Sequence, residues 1–318
     1  MKRRKNDLIQ LAVLVTLGAA VILSLALPQI LQRQSRPEIL SVSILTRDTD
    51  SSLWTNTRLG MEQAADELNA ELRFLSLSAP NDAAEQDSLL RREIEGGADA
   101  VIAVPADPDA FAATLSELSP SCPVVSMESP AEGVTGTVAA DPEALGQALA
   151  AALLEDWTAG PVLLLDTGGG INDAITARLE AAHAALTDAG VTVAVRTCTG
   201  EELAAGLGAL LADTGSRWVM TFDAVSTLRA AESIELARRS VPLYGVGSTV
   251  DIISGLEQGN IAASATWSDY AAGYLAVEQA VAAAHGEDAA FAPLPFSILR
   301  GEDIYEPNNQ KLLFPVAS

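Results

Sequence analysis

IEGGADAVIAVPADPDAF, Ile94 to Phe111, is the stretch from which the rest of the chain can be read. It runs from the end of a helix, through a two-glycine stop at Gly96 and Gly97, into a short apolar strand from Ala100 to Val104. A Pro-Asp loop then opens a second helix at Asp107-Pro108. The strand has no polar alternation, so both of its faces need cover. Helix, buried strand and helix in succession imply a parallel sheet with helices on both sides.

The same unit recurs on either side. Upstream, Ile39 to Leu45 reads as a strand, Trp54 to Asn69 as an amphipathic helix, and Leu72 to Leu77 as a second strand. A helix begins at Pro80-Asn81-Asp82. Downstream, a helix from Asp109 to Leu118 leads to the strand Val124 to Met127. After the extended segment Glu132 to Asp141 and an alanine-rich helix, Pro142 to Trp157, the rhythm restarts. The strands there are PVLLLD, VTVAVRT, WVMTF, VPLYGV and IAASATW, and the helices between them include Glu201 to Ala212, Val225 to Arg238 and Val250 to Gln258. Two sets of βα units of similar size fill 318 residues, which suits two lobes and an appendage.

The appendage is the amino terminus. Lys2 to Lys5 is a basic cluster, and Leu8 to Leu31 is an apolar run whose interior, Leu11 to Leu27, has no charge. Such a segment reads as a single transmembrane helix with its positive end in the cytoplasm and the body outside. Ser24-Leu25-Ala26 has the small-x-small form of a signal-peptide cleavage site, the competing reading, and the body is exported on both. Six of the 19 basic residues lie in the first 36 positions against Asp7 alone, leaving 13 basic and 41 acidic residues, a balance of −28, in the remainder. That field repels phosphate backbones, so nucleic acid is not an expected partner.

Two cysteines, Cys122 and Cys198, fall in different lobes and read as buried free thiols. With His183 and His285 they form no metal-ligand spacing, so neither a metal nor a cofactor is expected. No GxSxG elbow, HExxH helix or nucleophile with a neighbouring histidine is present, which argues against an enzyme.

A family resemblance emerges from landmarks in order. They are TRDTDSSLWTNTRLGMEQAADELNAEL, GADAVIAVPADPDAFAATLSEL, CPVVSMES, ARLEAAHAAL after a glycine loop, VMTFDAVSTLRAAE, YGVGST and GNIAASATWSDYAAGYLAVEQAV. From about Ile39 to Gly286 the chain resembles the extracytoplasmic sugar-binding proteins of the ribose- and galactose-binding type, which share their fold with LacI-type repressor ligand domains. The resemblance implies a type I periplasmic binding protein: two Rossmann-like lobes with parallel sheets, joined by three crossovers near Ala139 to Asp141, Ser264 to Ser268 and Pro295 to Leu299. On that frame residues 1–37 are tail, anchor and linker, 38–140 plus 268–297 are lobe 1, and 141–267 plus 298–318 are lobe 2. The resemblance further implies capture of a small solute for an ABC permease, by a monomer. A membrane-anchored sensor feeding a signalling partner is the other reading.

Carried over by position, the ligand candidates are Arg47, Asp48, Trp54 and Glu128 in lobe 1, and Asn172, Asp173, Thr176, Phe222, Asp223, Gly247 and Trp267 in lobe 2. Asp48 and Asp173 also suit helix caps, and Trp54 and Trp267 suit packing. Thr176 stands where the family has an arginine, Phe222 where it has an asparagine, Gly247 where it has an aspartate, and Trp267 where it has an amide. Three aromatic rings and an excess of carboxylates imply a neutral or cationic ligand with an apolar face.

Overall fold

In the computed structural model, which describes residues 39–47, 49, 54–167, 172–236, 241–289 and 291–314, the stretch from 94 to 111 lies at the middle of a five-stranded sheet. Its strands are β1 (Leu40–Leu45), β2 (Ala70–Leu75), β3 (Ala100–Ala103), β4 (Val124–Met127) and β5 (Gly136–Val138), ordered β2-β1-β3-β4-β5 and all parallel. Every residue of β3 is buried. Ala100 and Ile102 join one apolar cluster, Val101 and Ala103 another on the opposite face, as an unalternated strand in a covered sheet requires.

Helices α1 (Thr55–Leu68), α2 (Ala83–Glu95) and α3 (Pro108–Leu118) connect these strands. Asp82 starts α2 by accepting from the Glu85 N–H, and Asp107 starts α3 by accepting from the N–H groups of Asp109 and Ala110, with Pro108 in the first turn.

The second sheet holds β6 (Val162–Asp166), β7 (Val193–Thr197), β8 (Trp218–Met220), β9 (Leu243–Val246), β10 (Ala263–Trp267) and β11 (Phe296–Leu299), ordered β11-β10-β9-β8-β6-β7. Its connecting helices are α4 (Pro142–Asp156), α5 (Asp173–Asp188), α6 (Gly200–Thr214), α7 (Ala224–Leu236) and α8 (Val250–Glu257). All neighbours pair in parallel except β10 and β11, which are antiparallel. That edge strand departs from the all-parallel expectation. The chain reaches it from the other lobe, so no βα crossover sets its direction.

Three passages join the sheets. The first runs from β5 to α4, where Asp141 caps the helix by accepting from the Ala144 N–H at 3.0 Å. The second runs from β10 to α9 (Asp269–Ala284), which leaves the second sheet and packs along α1 and over β3 and β4. The third returns from α9 to β11 and lies against the first, the Leu294 N–H donating to the Ala139 carbonyl at 2.9 Å. β11 starts at Phe296, so Phe296 and Ser297 belong to the second sheet rather than to lobe 1, where the expected boundary put them. The chain ends in a short 3-10 turn (Gly301–Tyr305) and α10 (Pro307–Leu313), whose Ile304 and Leu313 enter the second lobe's core.

Contact between α1 and α9 is unusually close. A Cβ on Gly60 would stand 1.9 Å from the Tyr270 carbonyl oxygen, and one on Gly273 would stand 2.0 Å from the Thr57 carbonyl oxygen. Two backbones therefore meet through reciprocal glycines, which fixes the start of α1 against the start of α9.

Among the described residues no helix is long and apolar enough to cross a membrane; the apolar run 8–31 lies outside them. The two cysteines form no disulfide. Cys198 is buried, and burial pushes its thiol up to about 11. Cys122 is only half-buried, in correction of the expectation of two buried thiols, because it sits in the turn before β4 rather than in the strand.

Candidate functional site

The carboxyl ends of both sheets face one another across a cleft, the position in which open α/β sheets carry ligands. Lobe 1 contributes Arg47 after β1, Trp54 at the start of α1, Thr57 one turn on, and Glu128 after β4. Glu128 holds a left-handed backbone, φ 62°, a conformation that few residues other than glycine adopt. Its carboxylate accepts from Arg47 Nη2 at 2.9 Å, with the arginine 12% and the glutamate 28% exposed.

Lobe 2 contributes Asp223 after β8 and Gly247, Ser248 and Thr249 after β9. Asp223 opens α7, accepting from the Ser226 N–H at 2.9 Å, the Ser226 hydroxyl at 2.6 Å and the Thr167 hydroxyl at 2.6 Å. Gly247 has φ 124°, and a Cβ there would lie 2.6 Å from Ile252 Cδ1, so only backbone fits. The second passage between lobes adds Trp267 and Asp269.

Arg178 of α5 reaches the cleft from below. It is 3% exposed, donates from Nη1 to the Phe222 carbonyl at 2.9 Å, and lies over the Trp267 ring with Cζ 5.3 Å from its centroid. Burial pulls this guanidinium below the usual arginine range, while the Glu128 charge pulls it back, and it stays a cation. Asp269 accepts a short hydrogen bond from the Ser248 hydroxyl. Burial pushes its carboxyl up to about 6, the Ser248 hydroxyl opposing and the Glu128 charge adding.

The structure brings together Arg47, Trp54, Glu128, Asp223, Gly247 and Trp267. Asp48 lies outside the described residues, as does the glycine loop Gly168 to Gly170. Asn172, Asp173, Thr176 and Phe222 do not line the cavity. Asn172 caps α5 through the Ile175 N–H and accepts from the Ser129 hydroxyl of the other lobe at 2.9 Å; Asp173 is exposed beside it. Phe222 is wholly buried in the core, so among the described residues the rings at the cleft are those of Trp54 and Trp267, two and not three. Thr176 does not line the cavity, whereas Arg178, two residues on in the same helix, does.

Arg178, Asp269, Ser248 and Thr57 were not foreseen. A signal for Arg178 exists, since the buried positions of α5 are Ala174, Ile175, Arg178, Ala182 and Leu186, and a charge on that stripe has no place in a plain core.

The cavity between the lobes is about 60 Å³. The Ser129–Asn172 hydrogen bond, with Ser129 fully buried and Asn172 4% exposed, ties the two lobes together. Among the described residues no group of three histidines, cysteines or carboxylates could hold a metal ion.

Residues 42–288 match the family model of the periplasmic binding protein domain. The fold is that of an ABC transporter solute-binding protein from Agrobacterium vitis with bound D-fucose, at TM-score 0.79 and 16% identity over 86% of this chain and 100% of that one. It is likewise that of GanP, a glucose-galactose binding protein from Geobacillus stearothermophilus, at TM-score 0.75 and 19% identity over 85% and 100%. A solute-binding protein from Bacillus halodurans with bound myo-inositol gives TM-score 0.74 and 20% identity over 87% and 99%. At these identities the likeness speaks for the fold alone. A search of curated protein sequences returned no match.

Proposed function

The chain belongs to the periplasmic binding protein domain family, whose members here are binding proteins and not enzymes, and from that premise we propose that it is an extracytoplasmic solute-binding protein of an ABC transporter. It takes a small solute, sugar or sugar-like and with an apolar face, between lobe 1 (38–140 plus 268–295) and lobe 2 (141–267 plus 296–318). The anchor 8–31 keeps the clamp, a monomer, beside its permease.

The observation that carries this reading is the cleft itself. Side chains from both lobes converge on one cavity at the carboxyl ends of two parallel sheets, and the two indoles, Trp54 and Trp267, flank charged groups there. Arg47, Glu128, Asp223 and Trp267 are the residues of the expected set that stand ready to touch solute. In the solved neighbours the bound molecules are polyhydroxylated, D-fucose and myo-inositol among them.

The test is a thermal-shift screen of the full-length chain in mild detergent against sugars, polyols, nucleosides and small aromatic metabolites. A solute at 100 times its dissociation constant stabilises by about 2.7 kcal/mol. Unfolding that no solute delays would overturn the reading. Protease added to intact spheroplasts should digest the body; survival there with cleavage after lysis would reverse the topology.

A further inference from the structure

Five charged side chains of the described residues line the cavity, Arg47, Arg178, Glu128, Asp223 and Asp269, and their partners sort them. Arg47 and Glu128 neutralise one another at 2.9 Å. Asp223 is occupied by two hydroxyls and by the first turn of α7, whose backbone N–H groups suit a carboxylate. Arg178 and Asp269 remain, and among the described residues neither makes an ion pair.

Arg178 is 3% exposed; the Glu128 and Asp223 charges reach it without an ion pair, its direct contacts are the neutral Phe222 carbonyl and Trp267 ring, and its Nε–H has no acceptor. Asp269 has Ser248 as its polar partner. The cation comes from α5 of the second lobe and the anion from α9, which packs on the first. A charge withdrawn from water without a counter-ion is unfavourable, and here a buried cation and a half-buried anion enter one cleft from different lobes.

We propose that the solute is a compact organic zwitterion, of amino-acid or betaine type, whose carboxylate meets Arg178 and whose ammonium meets Asp269. The proposal rests on the binding-protein reading and replaces a plain sugar by a doubly charged, net neutral ligand. A neutral polyol leaves both charges without counter-ions. An amine satisfies Asp269 and faces two guanidiniums; a carboxylic acid satisfies Arg178 and faces three carboxylates. A zwitterion answers both walls and bridges the lobes, so its binding and their closure reinforce one another. The indoles of Trp54 and Trp267 suit an ammonium or its alkyl groups.

The test is titration calorimetry on the full-length chain in mild detergent at pH 7.5 with four kinds of probe. These are zwitterions (L-proline, L-valine, glycine betaine), an amine (isobutylamine), an acid (isobutyrate) and neutral polyols (D-xylose, myo-inositol). A zwitterion that binds saturably, at least 100-fold tighter than the amine and the acid, supports the proposal. Asp269→Asn should then weaken that zwitterion tenfold or more. Arg178→Lys, which keeps the charge, should bind it better than Arg178→Met, with thermal melting reporting that each variant is folded. Saturable binding of a polyol, unchanged in Asp269→Asn, overturns the zwitterion and leaves the binding-protein reading intact. A panel in which no zwitterion binds also overturns the proposal, whereas the binding-protein reading falls only if the wider solute screen is blank as well.

Discussion

Replacing Asp269 by Asn should make the ligand-free protein more stable above pH 6 and flatten one step of its pH profile. Burial raises the Asp269 carboxyl from 3.8 to about 6, against the pull of the Ser248 hydroxyl and with help from the Glu128 charge. At about 1.4 kcal/mol per pH unit, that gap corresponds to roughly 3 kcal/mol. Its sign follows from the protons bound. Between pH 3.8 and about 6 the folded chain keeps a proton at Asp269 that the unfolded chain has released. Stability from this group is therefore highest below 3.8, falls as pH rises through the window, and stays low above it. Asparagine still accepts from Ser248 but cannot ionise. The variant should lead the native sequence by up to roughly 3 kcal/mol at pH 7.5, and the lead should shrink toward pH 4. Urea unfolding of both proteins at pH 4, 5, 6 and 7.5 measures this directly. Parallel curves across that range would refute the reasoning, since they would mean that Asp269 keeps an ordinary carboxyl in the fold.

Other outcomes follow from the packing and the cleft. Gly60→Ala or Gly273→Ala forces a methyl into a facing backbone carbonyl and should cost about 1–3 kcal/mol in urea unfolding; a neutral result would mean that α1 and α9 stand further apart. Trp267→Ala should weaken the solute found by screening tenfold or more, about 1.4 kcal/mol, and reduce the change in tryptophan fluorescence on binding; full affinity would remove Trp267 from the site. Ser129→Ala deletes the buried bond to Asn172 and should favour the open form by about 1 kcal/mol, seen as a larger ligand-free radius in small-angle scattering; an unchanged radius would deny it a part in closure.

Strands such as β3 and β6 were legible because each is a short apolar run, whereas β2, AELRFL, carries charges and starts two residues before the expected Leu72; caps such as Asp82, Asp107 and Asp141 marked where helices begin. Arg47, Trp54, Glu128 and Trp267 could be found for a topological reason: a residue that follows a parallel strand or opens the next helix faces the cleft. Phe222 also follows a strand, yet its side chain turns inward and only its carbonyl serves the site, a choice that periodicity does not record over so short a segment. Asp269 was hidden because an acid in the first turn of a helix has an ordinary explanation in the helix dipole. Its neighbours in the cleft include Trp54 and Thr57 at the start of α1, more than 200 positions away in sequence. The direction of β11 was equally out of reach, since it depends on which side the third passage enters the sheet.

The account's central claim is that two lobes close on a small solute held between them. Small-angle scattering on residues 40–318, the compact unit that contains both sheets, tests it most directly. With the solute selected by the screen at saturation, the radius of gyration should fall from that of the ligand-free protein, because the shut form gains contacts from both lobes. An unchanged radius at confirmed saturation would contradict the claim.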